Sequence, residues 1–226
     1  MVPHWLKLMA DSFLPLLAAG LAFTVPLTIL SFAGGIAVGF ATALARLYGR
    51  GVALAVARFY VWLIRGTPLL VQLFIIFYGW PKIGIVLDAF PAALIGFVLC
   101  IGAYTSEIIR AAIASIPKGQ WEASYSIGMT WGQAMRRTIL PQAARVATPP
   151  LSNTFISLVK DTSLAASLTV PELFQTGQQI AAATYEPLLV YIEVAAIYLI
   201  FSSVLSNLQA RLEKRLDLHL GQGAAA

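Results

Sequence analysis

Charge is scarce in this sequence. Of 226 residues, 11% are Asp, Glu, Lys or Arg, against about a quarter in soluble globular domains. Hydrophobic residues make up 59%, and mean hydropathy is +0.80. That balance excludes an ordinary soluble domain, a disordered chain and a collagenous repeat. Cysteine is nearly absent: Cys100 stands alone in an apolar run, which excludes a disulfide-stapled module. His4 and His219 are the only histidines and lie at opposite ends. There is no His-Glu-x-x-His, no Gly-x-Ser-x-Gly and no pair of intramembrane aspartates, so no catalytic or metal-ligating residue is assigned. A phosphate loop of the Gly-x4-Gly-Lys-Ser/Thr kind is also missing, so the chain has no ATPase site of its own. No internal repeat is found.

Long apolar runs are what the sequence has. A bilayer core of about 30 Å takes about 20 residues per helix. The first helix is expected at about 17–44. It is too long and too weakly charged at its N-terminal flank for a cleaved signal peptide. A second run covers Phe59 to Tyr78, interrupted by Arg65-Gly66-Thr67-Pro68, and a third covers Phe90 to Ser106. The fourth, from Arg145 to about Val170, has Lys160-Asp161 within it, and the fifth, Leu188 to Leu208, contains Glu193. Lys and Arg number three in 46–58, five in 110–145 and three in 211–215, against Lys7 and Lys82 elsewhere in the loops. Positive loops stay cytoplasmic. The expectation is therefore an all-α polytopic membrane protein with five transmembrane helices, the N-terminus outside and the C-terminus cytoplasmic. An odd number without a repeat disfavours two inverted halves in one chain and implies an oligomer.

Residues 117–141 form the one sizeable polar region. Pro117 stops the preceding helix, and Glu122 is expected in the first turn of a short helix, where a carboxylate suits the dipole. Gly128 permits a left-handed turn, and Thr130 can cap a second short helix ending at Pro141. Trp121, Tyr125, Met129 and Met135 need a groove, in the membrane region or in a partner. A plain interfacial hairpin is the simpler reading.

Glu122-Ala123-Ser124, then Gly128, then Thr138-Ile139-Leu140-Pro141 resembles the EAA signature of permease subunits of bacterial ABC importers, E-A-A-x3-G-x9-I-x-L-P. Ser124 and Thr138 depart from it. Phe59 to Leu73 and Asn153 to Leu164 resemble the polar amino acid permeases of this class, and Gly119 to Phe174 is most similar to their L-cystine branch in Gram-negative bacteria. The resemblance covers about 15–212 of a single transmembrane domain, 1–226. It implies the type I ABC importer permease fold and an inner-membrane location in a bacterium. It also implies a second permease subunit, an extracytoplasmic solute-binding protein and a cytoplasmic ATPase dimer that holds ATP and Mg, this chain binding neither cofactor nor nucleic acid. Glu122, Ala123, Ser124, Gly128, Leu140 and Pro141 would then couple to the ATPase, with Arg136 and Arg137 facing it or the lipid head groups. Glutamine, glutamate and histidine are alternative substrates to cystine. An ATP-independent secondary transporter would account for Lys160-Asp161 but not for the coupling segment.

A charge at bilayer depth costs at least about 2.5–3.5 kcal/mol unless paired or wetted, so each intramembrane ion needs a reason. Glu107 and Arg110, one turn apart, are expected to pair. Glu193, near the outer end of the last span, is expected to snorkel or to touch another subunit. Lys160 and Asp161 together suit the carboxylate and ammonium of a zwitterionic amino acid. Arg65, Gly66, Thr67 and Pro68 offer a second cation beside a helix break, which is tolerated at membrane depth where it lines a cavity. The alternative is an Arg65 to Asp161 pair that only holds helices together. Thr154, on the face of Asp161, is neutral and favours a dipolar substrate over arginine or lysine. With Thr162 and Cys100 these residues make up the expected substrate path. Cys100 replaces a polar Asn of the family and is expected mainly to pack.

Overall fold

The computed structural model describes residues 3–221, with side chains through Arg211. Residues 1–2 and 222–226 of the expected 1–226 unit lie outside it, as do the side chains of Lys214 and Arg215. Among the described residues every regular element is helical. Helix α1 (His4–Ala19) continues through a wide turn, Gly20–Thr24, into α2 (Val25–Tyr48). The result is one 45-residue helix, His4–Tyr48, longer than the expected 17–44, because Lys7 and Asp11 sit exposed on its side and do not interrupt it.

Helix α3 (Gly51–Arg65) is followed by α4 (Leu69–Phe74), a wide turn at Ile75–Gly79 and a 3-10 turn, Trp80–Ile83. The two halves meet at 108°, so the run from Phe59 to Tyr78 is not a straight crossing. Pro68 has no amide hydrogen and drives Thr67 out of the helical region. The carbonyls released by the break are taken up locally. Gln72 Nε2 donates to Ile64 O at 2.8 Å and Thr67 O at 3.1 Å, and Thr67 Oγ1 donates to Leu63 O at 2.9 Å.

The chain goes on with α5 (Ala89–Ala114), α6 (Lys118–Ser126), α7 (Trp131–Ala134), a wide turn at Met135–Ile139, and α8 (Leu140–Asp161). A 3-10 turn, Thr162–Leu168, leads to α9 (Leu173–Thr184) and α10 (Pro187–Gly221). Three helices are long and apolar enough to cross a bilayer, and the bent pair makes a fourth if it counts as one span. The second short helix does not end at Pro141 but runs on into α8. Each of the three wide turns ends two residues before a proline: Pro26, Pro81 and Pro141. Widening the turn moves the carbonyl that the ring would strike, so the helical path continues past the proline.

Helices α2 and α5 pack along most of their lengths. Small residues permit the approach, as at other interfaces inside membranes. A Cβ at Gly39 would fall on Thr105 Oγ1 and come to 3.0 Å from both Gly102 O and Ser106 N. The obstacle is partly backbone and cannot rotate aside. Gly39→Ala is expected to destabilise the chain by about 1–3 kcal/mol, an overpacking cost, read as a lower melting temperature in detergent. An unchanged melt would show that the two helices can separate freely.

Three apolar clusters result. One joins Leu27, Leu73, Phe97 and Leu158. A second ties Ile109 and Ile113 of α5 to Met135 and Ile139, and a third joins Leu16 and Leu173 to Val190, Val194 and Ile197. Glu193 belongs beside the third and is 3% exposed, bonded to the Ser12 hydroxyl. It neither snorkels nor is left for another subunit. Glu172, fully buried, caps α9 by accepting from Gln175 N at 2.8 Å and also accepts from Tyr198 Oη at 2.8 Å. Both acids have neutral donors, which avoids a buried ion without a partner.

Candidate functional site

Two turns of α8 and the middle of α5 enclose a cavity of about 450 Å³, with Leu69 of α4 at its wall. Helix α8 contributes Asn153, Thr154, Ser157 and Asp161, residues spaced by three or four and so on one face. Helix α5 contributes Cys100 and Tyr104. Cys100, Thr154 and Asp161 of the expected path are thus brought together. Thr154 spends its hydroxyl hydrogen on Pro150 O at 2.9 Å, leaving oxygen lone pairs toward the cavity. Asn153, Ser157 and Tyr104 escaped the sequence reading, although Asn153 and Ser157 stand eight and four residues before Asp161 and share its face.

The other expected members are placed differently. Lys160 is exposed and does not line the cavity. Consecutive helical residues point about 100° apart, so adjacency along the chain cannot aim both charges at one ligand. Thr162 is fully buried and donates to Val159 O at 2.7 Å, facing the protein interior. Gly66, Thr67 and Pro68 form the break before Leu69 without lining the cavity; the Gln72 side chain occupies the Thr67 carbonyl, and the backbone amides of Val71 and Gln72 occupy that of Pro68.

Arg65 forms no pair with Asp161. Its guanidinium lies over the Tyr104 ring, 5.2 Å from the centroid, a cation–π contact, and Nη1 is 3.9 Å from Glu107 Oε1. Tyr104 therefore separates a cation on one side from the cavity on the other. Glu107 does pair with Arg110, at 2.8 Å from Nη2 and 3.2 Å from Nε. It is also bonded to Arg46 of α2. One carboxylate thus gathers guanidinium groups from α2, α3 and α5 just beyond the cavity, and the cluster keeps a surplus of positive charge.

The polar segment begins below this cluster. Glu122 is not in the first turn of its helix but at the fifth residue of α6, exposed and without an ion pair among the described residues. Gly128 has φ 77°, the left-handed turn that glycine permits. Thr130 caps α7 in a reciprocal box with Gln133. Ser124 is 4% exposed, with Oγ 2.8 Å from Gln120 O and 3.0 Å from Thr138 Oγ1. Gln142 Nε2 donates to Gln120 Oε1 at 3.0 Å. Helix α6 is thereby fastened to the wide turn and the start of α8, which carries Leu140 and Pro141. Met135 is buried, Trp121 packs on the same cluster, and Trp131 stacks edge-on against Tyr48 with ring centroids 5.0 Å apart. The intramolecular groove thus takes Met135 and part of Trp121. Tyr125 at 45% and Ile127 at 74% stay exposed.

The family model for the binding-protein-dependent transport system inner membrane component matches residues 35–218. The L-cystine transport system permease protein TcyB of Bacillus subtilis is 54% identical over 216 residues, covering 95% of this chain and 92% of that protein. The glutamine transport system permease protein GlnP of Escherichia coli is 38% identical over 207 residues, covering 91% and 94%. Among solved structures, an amino acid ABC transporter crystallised with histidines superposes with a TM-score of 0.87 at 34% identity, covering 95% of this chain and 100% of that one. The inward-facing MetNI methionine ABC transporter superposes with a TM-score of 0.75 at 20% identity, covering 89% and 96%, a likeness of fold. The fold is that of type I ABC permeases. By sequence and by fold, the chain belongs to the family of binding-protein-dependent transport system inner membrane components, the permeases of ABC transporters.

Proposed function

We propose that this chain is the permease subunit of an ATP-driven importer for a polar, dipolar amino acid, with L-cystine the first candidate. The observation that carries the reading is the cavity itself: Asp161 on one wall, neutral hydroxyl and amide groups of Thr154, Ser157 and Asn153 along the same helix, and the cation Arg65 behind Tyr104. A carboxylate is a partner for the substrate ammonium, and the basic cluster draws its carboxylate onward. Neutral walls suit a dipolar side chain better than a second cation. The 54% identity to a cystine permease favours cystine over glutamine, glutamate or histidine.

In this reading the chain crosses the inner membrane of a bacterium five times, with its N-terminus outside and its C-terminus in the cytoplasm. It works with a second permease subunit, receives substrate from an extracytoplasmic binding protein, and is driven by an ATPase dimer that binds ATP and Mg. Residues 117–141 dock on that ATPase through the exposed side of α6, where Glu122, Tyr125 and Ile127 face outward. Reconstitution with and without the ATPase tests the reading: uptake that persists without ATP would overturn it. Competition among radiolabelled amino acids in the same vesicles identifies the substrate.

Glu122→Lys should leave the melting temperature unchanged, since the side chain is exposed and unpaired within the chain, while ATP-driven uptake falls about tenfold or more, as expected at a docking hot spot. Full uptake by that variant would remove Glu122 from the docking surface.

A further inference from the structure

On the side of α8 away from the amino acid cavity, two apolar hollows lie end to end. The first, about 420 Å³, and the second, about 350 Å³, share Phe155 and Leu205 and form one groove between α2, α8 and α10. The ring of Phe32 meets Phe155 edge-on with centroids 4.9 Å apart and forms part of the groove wall. Along α8 the groove runs from Thr148 to Val159. At 1.5 Å per residue that is about 16 Å, or one leaflet of a bilayer core of about 30 Å.

The groove has a polarity. The hollow deep in the membrane is lined almost entirely by hydrocarbon, whereas the other reaches Thr148, Ser152 and Gln209. Arg145 lies three residues before Thr148 and seven before Ser152, and Arg211 lies three after Leu208. By helical spacing both stand one turn beyond the polar end, on the faces that line the groove. Both are exposed, and among the described residues the ion pairs all involve Glu107, so no described carboxylate neutralises either arginine. This end lies on the same side of the membrane as the 117–141 segment, because Arg145 directly follows it.

We propose that this groove binds one anionic phospholipid, with an acyl chain along Phe155 and Leu205 and its phosphate against Arg145 and Arg211. A depth of one leaflet, an apolar interior and a cationic mouth match a lipid tail and head. A flat helix interface between two copies requires none of the three. The groove and the transport cavity share no lining residue and adjoin where Gln209 Nε2 donates to Asn153 Oδ1 at 3.1 Å, and the proposal holds whichever amino acid is carried.

The test uses the full chain purified in mild detergent, read by native mass spectrometry and by titration with phosphatidylglycerol or phosphatidylcholine. Wild type should retain about one phosphatidylglycerol per chain. Leu205→Trp, which fills the groove, should lose it while keeping the melting temperature and the oligomer mass; Leu208→Trp, nearer the exposed rim, repeats the test should the first variant fold poorly. Arg145→Gln and Arg211→Gln should each weaken phosphatidylglycerol binding about fivefold, the contribution of one basic residue near an anionic surface, with phosphatidylcholine unaffected. Lipid retained equally by both tryptophan variants would overturn the proposal. So would arginine variants that keep the preference for the anionic head. Tryptophan variants that split the permease pair without losing lipid would overturn it as well, assigning this face to a contact between copies.

Discussion

Asp161→Asn is expected to reduce amino acid uptake by about a hundredfold or more while the chain remains folded. The carboxylate has no ion pair within 4.0 Å among the described residues, so its removal breaks no hydrogen-bonded ion pair inside the protein. Its neighbours in the cavity, Cys100, Tyr104, Thr154 and Ser157, are neutral. What is lost is the partner of the substrate ammonium; once the substrate fills the cavity, removing one half of such a charge pair costs about 2–5 kcal/mol. Uptake into proteoliposomes containing the full complex measures the loss, and a melting curve of the same preparation controls for folding. Lys160→Gln, facing away from the cavity, is the comparison and should transport nearly normally. Equal affinity and rate in the Asp161 variant would leave the carboxylate with no role in the path.

Glu107→Gln is expected to act in the opposite way, on stability first. Glu107 is the acceptor for Arg46 and Arg110 and lies 3.9 Å from Arg65, and its side chain is 22% exposed. Arg46, 19% exposed, is the most sheltered of the three. Removing the single negative charge leaves three cations from α2, α3 and α5 facing one another. Breaking a buried pair costs about 3–5 kcal/mol. The wetter Arg65 and Arg110 bring the expected loss to about 2–4 kcal/mol after allowing for solvent screening. A melting temperature lowered by several degrees, partly recovered in high salt, is the expected result. A Glu107→Asp variant should retain part of the stability by keeping the charge. A melt for Glu107→Gln equal to wild type would mean that the arginines find other partners without cost.

The parts of the site that could be read from sequence are those whose chemistry clashes with their surroundings. Asp161 is conspicuous because, with Lys160, it follows a long uncharged stretch, and Gly66 and Pro68 mark a break for stereochemical reasons alone. The size of the bend, 108°, is not legible there, and neither is the part of Gln72, which bonds back across the break to Ile64 and Thr67. Asn153 and Ser157 are ordinary residues of α8, distinguished only by their spacing from Asp161, and Tyr104, on α5, has no local signal at all. Lys160 stands next to Asp161 in the chain yet does not line the cavity, because consecutive helical residues point about 100° apart. Arg46 could not be found, since sixty-one residues separate it from Glu107. Snorkelling or a subunit contact is the expectation for Glu193 from sequence, because the α1 hydroxyl that shelters it, Ser12, has no local signature.

Ser124 and Thr138, the two positions where the coupling segment departs from the family signature, meet side chain to side chain at 3.0 Å in a nearly closed space. Neither hydroxyl depends on the other alone. With isoleucine at 138, the Ser124 hydroxyl still donates to Gln120 O at 2.8 Å, and with alanine at 124, the half-buried Thr138 hydroxyl keeps its contact with Met129 Sδ at 4.0 Å. No buried group is left without a partner, so neither change carries the full cost of an unsatisfied one. The pair is therefore exchangeable for the signature residues one position at a time, and the segment keeps its fold at every step.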